Sequence, residues 1–219
     1  MQITVTGVDE LTDLAMLPEN VEVGVLYTAT PKDRNRYMPP WAILQVLNWL
    51  HMHGRRSALH VCGKTARDSL LGGRLREFTD KVQRIQVNGV IEPWYLREVC
   101  RLHPDHTIIT QHTWKNAGLL RAGEANHAVL VDGSGGRGVS PDEWARPETD
   151  IAVGFAGGLG PHNIATQLPK IMQVAKGDWW IDMEGQIRDE DDRFDVQKVV
   201  EVVRICDMMQ ESLYKNDAI

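Results

Sequence analysis

The chain has 219 residues, 42% of them hydrophobic and 25% charged, with a net charge of −6, a length suited to one domain of the larger type. The acidic balance speaks against a nucleic-acid surface, and no run approaches the ~18 apolar residues of a membrane helix. Cys62, Cys100 and Cys206 lie far apart with no CxxC pair, which implies reduced thiols rather than bridges.

The opening MQITVTGV enters a strand-like pattern at once, with no charged-then-apolar leader, so the expectation is a cytoplasmic protein without a signal peptide. Strand-like runs then follow in order: ITVTGV from Ile3, EVGVLYTA from Glu22, SALHVCG from Ser57 and RIQVNG from Arg84. The second half adds HTIITQH from His106, HAVLVDG from His127, IAVGFAGG from Ile151 and WWIDMEG from Trp179. Helical patterns fall between them. WAILQVLNWLHMHG stops at Gly54, and PWYLREVCRLHP carries proline at its start and past its end. The last helical run places Val196, Val199, Val200, Val203 and Cys206 on one face. Its second stripe, Val202, Ile205 and Met209, is either core or the contact face of a homodimer. The sixth helix, around PDEW, has room only to be short.

Strict alternation implies parallel strands joined by crossovers. Eight units in this length predict one α/β domain over 1–219, a (β/α)8 TIM barrel; a doubly wound open sheet is the rival. In such a barrel the residues that end the strands line the catalytic rim. Those ends are Thr6-Gly7, Asn88-Gly89, Asp132-Gly133, Gly157-Gly158 and Glu184-Gly185. The second strand leads into TPKDRNRYMPP, with Arg34 and Arg36. In VLVDGSGGRG the carboxylate of Asp132 is either a catalytic group or a cap on loop amides. GGLGPHN ends the seventh strand where a helix begins at about Asn163; its glycines either cradle an anion through backbone amides or permit a tight turn.

These residues resemble a family, the phosphoribosylanthranilate isomerases of tryptophan biosynthesis. VLVDGSGGRGVSPDEW is similar to the family's Asp-ended sixth strand and GGxG loop, and FAGGLGPHNI to its seventh-strand motif. PKDRNRYMPP resembles its second loop, with Arg36 at the arginine that family members use on the anthranilate carboxylate, and RIQVNG its fourth-strand Gln-x-His-Gly pattern, with Asn88 in place of histidine. The resemblance implies an Amadori rearrangement of an N-linked phosphoribosyl compound, with Asp132 as the general acid on the ring oxygen. It implies that a small phosphorylated ligand is bound by Arg36, Gln86, Asn88, Gly136, Arg137, Gly157, Gly158, Asn163 and Gly185, with neither cofactor nor metal.

Two positions depart from the family. Its base is a first-strand cysteine, and here Thr6 stands there; an alcohol lacks the accessible thiolate of a tuned cysteine. This predicts little or no turnover of phosphoribosylanthranilate. Its eighth strand ends in small hydroxyl residues, whereas this chain has Glu184, with Asp182 facing the same side. Glu184 either takes over the base role beside Thr6 or repels a phosphate unless Arg137 or Arg188 offsets it. The bland readings are preferred for the rest: HVCGKT lacks the first glycine of a phosphate loop, and Cys62 is a small apolar residue. HMH and HPDH are solvated caps, Trp179 and Trp180 are packing residues, and RDEDDR is a solvated loop.

Overall fold

A computed structural model describes residues 1–30, 33–134 and 137–216, with side chains to 211. Gly136, one of the expected ligand-binding residues, lies outside the described residues. Eight strands, β1 (Gln2–Thr6), β2 (Val21–Thr28), β3 (Ser57–Cys62), β4 (Arg84–Val87), β5 (Thr107–His112), β6 (His127–Asp132), β7 (Val153–Ala156) and β8 (Trp179–Met183), form a closed barrel in chain order. Every neighbouring pair is parallel. β1 pairs with β8, Thr4 opposite Asp182 and Val5 opposite Met183, and this closure excludes the open sheet. The fold is a TIM barrel.

The helices are α1 (Pro40–Met52), α2 (Lys64–Leu71), α3 (Arg76–Thr79), α4 (Pro93–Leu102), α5 (Ile164–Val174) and α6 (Val196–Asn216). Pro40 and Pro93 open α1 and α4, where a missing N–H costs nothing. The crossovers after β1 and β5 are single 3₁₀ turns at Leu14–Met16 and Ala117–Arg121. The short sixth helix expected around PDEW does not form: 137–152 has no helix among the described residues. The five residues between Pro141 and Pro147 are too few to repay helix nucleation. Trp144 covers the barrel instead, 6% exposed, its indole N–H donating to Gln167 of α5 at 2.9 Å.

The inward face of α6 is also rotated from the expected one. Val199, Val202, Val203 and Cys206 are buried, whereas Val200 is exposed. Ile205 and Met209 pack on the same core, so the second stripe is spent largely within the chain. Among the described residues no helix is long and apolar enough to cross a membrane.

Two apolar regions follow from the alternation of side chains along each strand. The large one lies between barrel and helices. The small one, Ile109, Ala128, Leu130 and Trp180, fills the barrel interior beside β5, β6 and β8. The rest of the interior is polar. Glu22, 1% exposed, accepts from Arg84 at 2.9 Å and from Thr4 at 3.0 Å, and the Arg84 guanidinium lies 4.0 Å from the Trp180 ring. Above this layer, on the side of the C-terminal rim, come Thr6, His60, Gln86 and Asp182, all buried. Gly24 makes room for them: a Cβ there would stand 2.4 Å from Thr6 Oγ1 and 2.9 Å from His60 Nε2.

Candidate active site

A cavity of about 370 Å³ opens at the C-terminal end of the barrel, where TIM-barrel sites lie. Thr6, Arg36, Gln86, Asn88, Asp132, Arg137, Gly157, Gly158, Glu184 and Gly185 all line it. Asn163 does not. It sits one turn behind, accepting from the Gly160 N–H at 3.0 Å and donating to Gly158 O and Ser140 Oγ at 2.9 Å each. Its amide therefore shapes the seventh loop from outside the cavity.

The β6 and β7 loops interlock through glycine. Gly158 has φ +59°, and a Cβ on it would stand 2.5 Å from Gly138 O and 2.7 Å from Ser140 N. Only glycine combines that left-handed backbone with so close an approach. Asp132 ends β6 and accepts from the Ser134 N–H at 3.0 Å and the Ser134 hydroxyl at 2.6 Å. Asp132 thus caps its own loop and also faces the cavity. Arg137 donates through Nε to Ser134 O at 2.9 Å, which holds its side chain at the rim.

Glu184 reaches over Gly7 toward β1: a Cβ at Gly7 would lie 3.5 Å from Glu184 Cγ. Its carboxylate, however, is engaged by Arg36 at 2.5 Å. Arg36 also pairs with Asp192, and Asp192 pairs with Arg188 at 3.1 Å. Arg188 is 4% exposed and donates to Gly7 O, with Asp9 at 3.4 Å. The charge of Glu184 is therefore met by Arg36, the arginine expected to bind a carboxylate, with Arg137 and Arg188 in other bonds. The run RDEDDR is more than a solvated loop, because its Asp192 takes the rare left-handed conformation, φ 57°, to enter this network. Burial works against it, yet Arg36 and Arg188 hold the Asp192 carboxyl below its usual range.

The carboxyl touching Thr6 is Asp182. Thr6 Oγ1 donates to Asp182 Oδ1 at 2.8 Å, and burial pushes the Asp182 pKa up to about 8 against the help of that hydrogen bond. His60, buried and facing Arg84, is driven down to about 3 and stays neutral. Sequence reasoning missed His60, although it lies opposite Gln86 in the β3–β4 register and so shares its inward face. Two buried atoms here have no partner among the described residues, His60 Nε2 and Gln86 Oε1. Gln86 donates its amide to Asn88 Oδ1 at 2.8 Å, and Asn88 donates on to Cys62 Sγ at 3.2 Å, so Cys62 is a hydrogen-bonded rim residue rather than an inert apolar one.

A carboxyl that folding moves from about 4 to about 8 binds more protons in the folded state between those values. Its stabilising contribution is complete below the unfolded pKa and is lost as pH rises through 8. His60 opposes this only below its ordinary value of 6.5. Stability should therefore fall from pH 6.5 to 8, and Asp182→Asn should flatten that segment of a denaturation series.

The HMH and HPDH histidines lie away from the cavity. His53 stacks on Trp49 at 4.0 Å, and His106 bonds the Thr79 carbonyl at 2.9 Å. Lys64 of HVCGKT pairs with Asp68 in solvent. Trp180 packs inside the barrel, and Trp179 outside it against Phe155.

No family model matches the sequence, and no curated protein matches it. Among solved structures the barrel is similar to phosphoribosylanthranilate isomerases over nearly its whole length. The Thermus thermophilus enzyme is 17% identical, with a TM-score of 0.65 over 95% of this chain and all of that one. A monomeric form of the dimeric Thermotoga maritima enzyme is 12% identical, with a TM-score of 0.67 over 94% and 97%. A third, bound to reduced 1-(o-carboxyphenylamino)-1-deoxyribulose 5-phosphate, is 14% identical, with a TM-score of 0.67 over 93% and 97%.

Proposed function

We propose that the barrel binds a small, phosphorylated, ribose-derived molecule in the rim cavity and rearranges it by proton transfer, with Asp132 as the acid. The observation that carries this reading is the pair of unpartnered buried atoms at the cavity, His60 Nε2 and Gln86 Oε1. Buried polar atoms are costly to leave unpaired, and sugar hydroxyls supply both a donor and an acceptor. The backbone around Gly157, Gly158 and Gly185 takes the phosphate, near the start of α5, whose N-terminal end favours an anion.

Asp132 protonates the furanose oxygen as the bond from that oxygen to C1 breaks, and the nitrogen lone pair forms the iminium. Arg36 separates this chain's substrate from anthranilate compounds. With Glu184 and Asp192 already on its guanidinium, a substrate carboxylate would have to displace built-in ones, so the group on nitrogen is one without a carboxylate. Titration with ribose 5-phosphate tests the binding step, and lack of saturable binding to the wild type would overturn the reading. A barrel that binds without turnover is the second reading, favoured by Thr6 in place of a cysteine.

Glu184→Ser tests the substrate preference. Freed from one carboxylate, Arg36 should bind phosphoribosylanthranilate about tenfold more tightly, ~1.4 kcal/mol, while ribose 5-phosphate changes less. Equal gains for both ligands would point instead to simple relief of phosphate repulsion.

A further inference from the structure

Thr6 is the position where proton abstraction is missing its expected group, and an alcohol needs an adjacent base to serve there. The barrel supplies one. Thr6 ends β1 and Asp182 lies on β8, the strand hydrogen-bonded to β1, and the two side chains meet at 2.8 Å. Both line the rim cavity, so their shared oxygens face whatever occupies it. Asp132 sits a quarter of the way round the barrel: it pairs in register with Ala156, and Ala156 with Asp182. The two aspartates are therefore two strand spacings apart, about 10 Å between backbones, and both line the cavity.

We propose that Thr6 and Asp182 form a proton-transfer dyad, in which Asp182 takes a proton from the carbon next to the ligand's iminium and Thr6 orients it. This rests on the reading of the site as a sugar-rearranging one and assigns its second proton-moving group. In the step itself, an Asp182 oxygen takes the hydrogen from C2. The C2–H electron pair becomes the C1–C2 double bond, and the iminium π pair returns to nitrogen, giving a neutral enaminol. C1 then takes up a proton, the C2 hydroxyl gives one up, and the product is an aminoketose. No oxidant, reductant or metal enters the balance.

The surroundings suit a base that works near neutrality. Asp182 is 6% exposed. The groups around it are the Thr6 hydroxyl on β1, Glu22 on β2, neutral His60 on β3, Arg84 on β4, and Glu184 on the same chain segment. Burial and the two glutamates favour its protonated form, while Thr6 and Arg84 favour the carboxylate. Its pKa of about 8 lies close to working pH, where a general base is most effective.

The test uses ribose 5-phosphate condensed with aniline, a phosphoribosyl amine lacking a carboxylate, and follows exchange of its C2 hydrogen in D2O by NMR. The wild type should exchange C2 with a rate that rises with pH and levels near 8. Asp182→Asn should lower the rate by about 10²–10⁴-fold, the usual contribution of a positioned base. Thr6→Val removes the hydrogen bond that favours the carboxylate, so the rising limb should move to higher pH, while Thr6→Ser should restore it. Ribose 5-phosphate binding, measured in parallel, should persist in all three variants and reports that each pocket is folded. If the wild type binds ribose 5-phosphate but exchanges no C2 hydrogen, or Asp182→Asn exchanges as fast, the dyad is wrong and the binding reading stands. A limb that stays in place in Thr6→Val equally rejects it. If ribose 5-phosphate does not bind the wild type, the functional reading fails first and this proposal falls with it.

Discussion

Arg84→Met should cost about 3–5 kcal/mol of folding stability, the loss expected when one partner of a buried ion pair is removed. Glu22, 1% exposed, would keep only the Thr4 hydroxyl as a donor to Oε1, and its Oε2 has no partner even now. The substitution also withdraws the cation lying over Trp180. Chemical denaturation at pH 7 would measure the loss. Removing both members, Arg84→Met with Glu22→Leu, should recover most of it, because the cost is that of an uncompensated charge rather than of missing packing. A single mutant within 1 kcal/mol of wild type would show that water already reaches Glu22.

Gly158→Ala should abolish the anion binding proposed for the seventh loop, with a loss above 100-fold, ~2.7 kcal/mol. The new methyl group would meet two backbone atoms, Gly138 O and Ser140 N, which cannot rotate away as a side chain could. The left-handed backbone adds about 1–2 kcal/mol of strain for any residue with a Cβ. The β6 and β7 loops must then separate, and the hydrogen bonds of Ser140 and Asn163 to Gly158 O go with them. Phosphate titration by calorimetry, with Gly177→Ala as a control in open space, separates loop distortion from strain alone. Retained phosphate affinity would move the anion site away from these glycines.

The barrel was legible because buried parallel strands read as apolar runs, and eight such runs in strict alternation leave few other closures. The rim followed from it, since strand ends need only the order of elements. What escaped were facts of side-chain partnership. Glu184 could be placed near β1 from strand order, but its bond to Arg36 depends on the path of the second loop, which has no periodicity. Asp192 was hidden in an acidic run whose charges look alike in sequence, and only its left-handed backbone singles it out. The sixth helix is absent although PDEW resembles a helix start, because two prolines leave it no length. On α6, Val200 and Val202 are both apolar, and periodicity alone does not fix which one turns inward.

Thr6 and Asp182 are 176 positions apart along the chain, joined across the seam where the first strand meets the last. Nearly the whole polypeptide must be ordered before that hydrogen bond can exist. Pairings of such separation form late and slowly, after the loop-closure entropy has been met. A partly folded barrel lacking β8 would have neither Gly185 in the proposed phosphate site nor the proposed dyad. Recovery of proton exchange during refolding should therefore trail recovery of helical structure followed by circular dichroism, with the interval between them timing the closing of the ring.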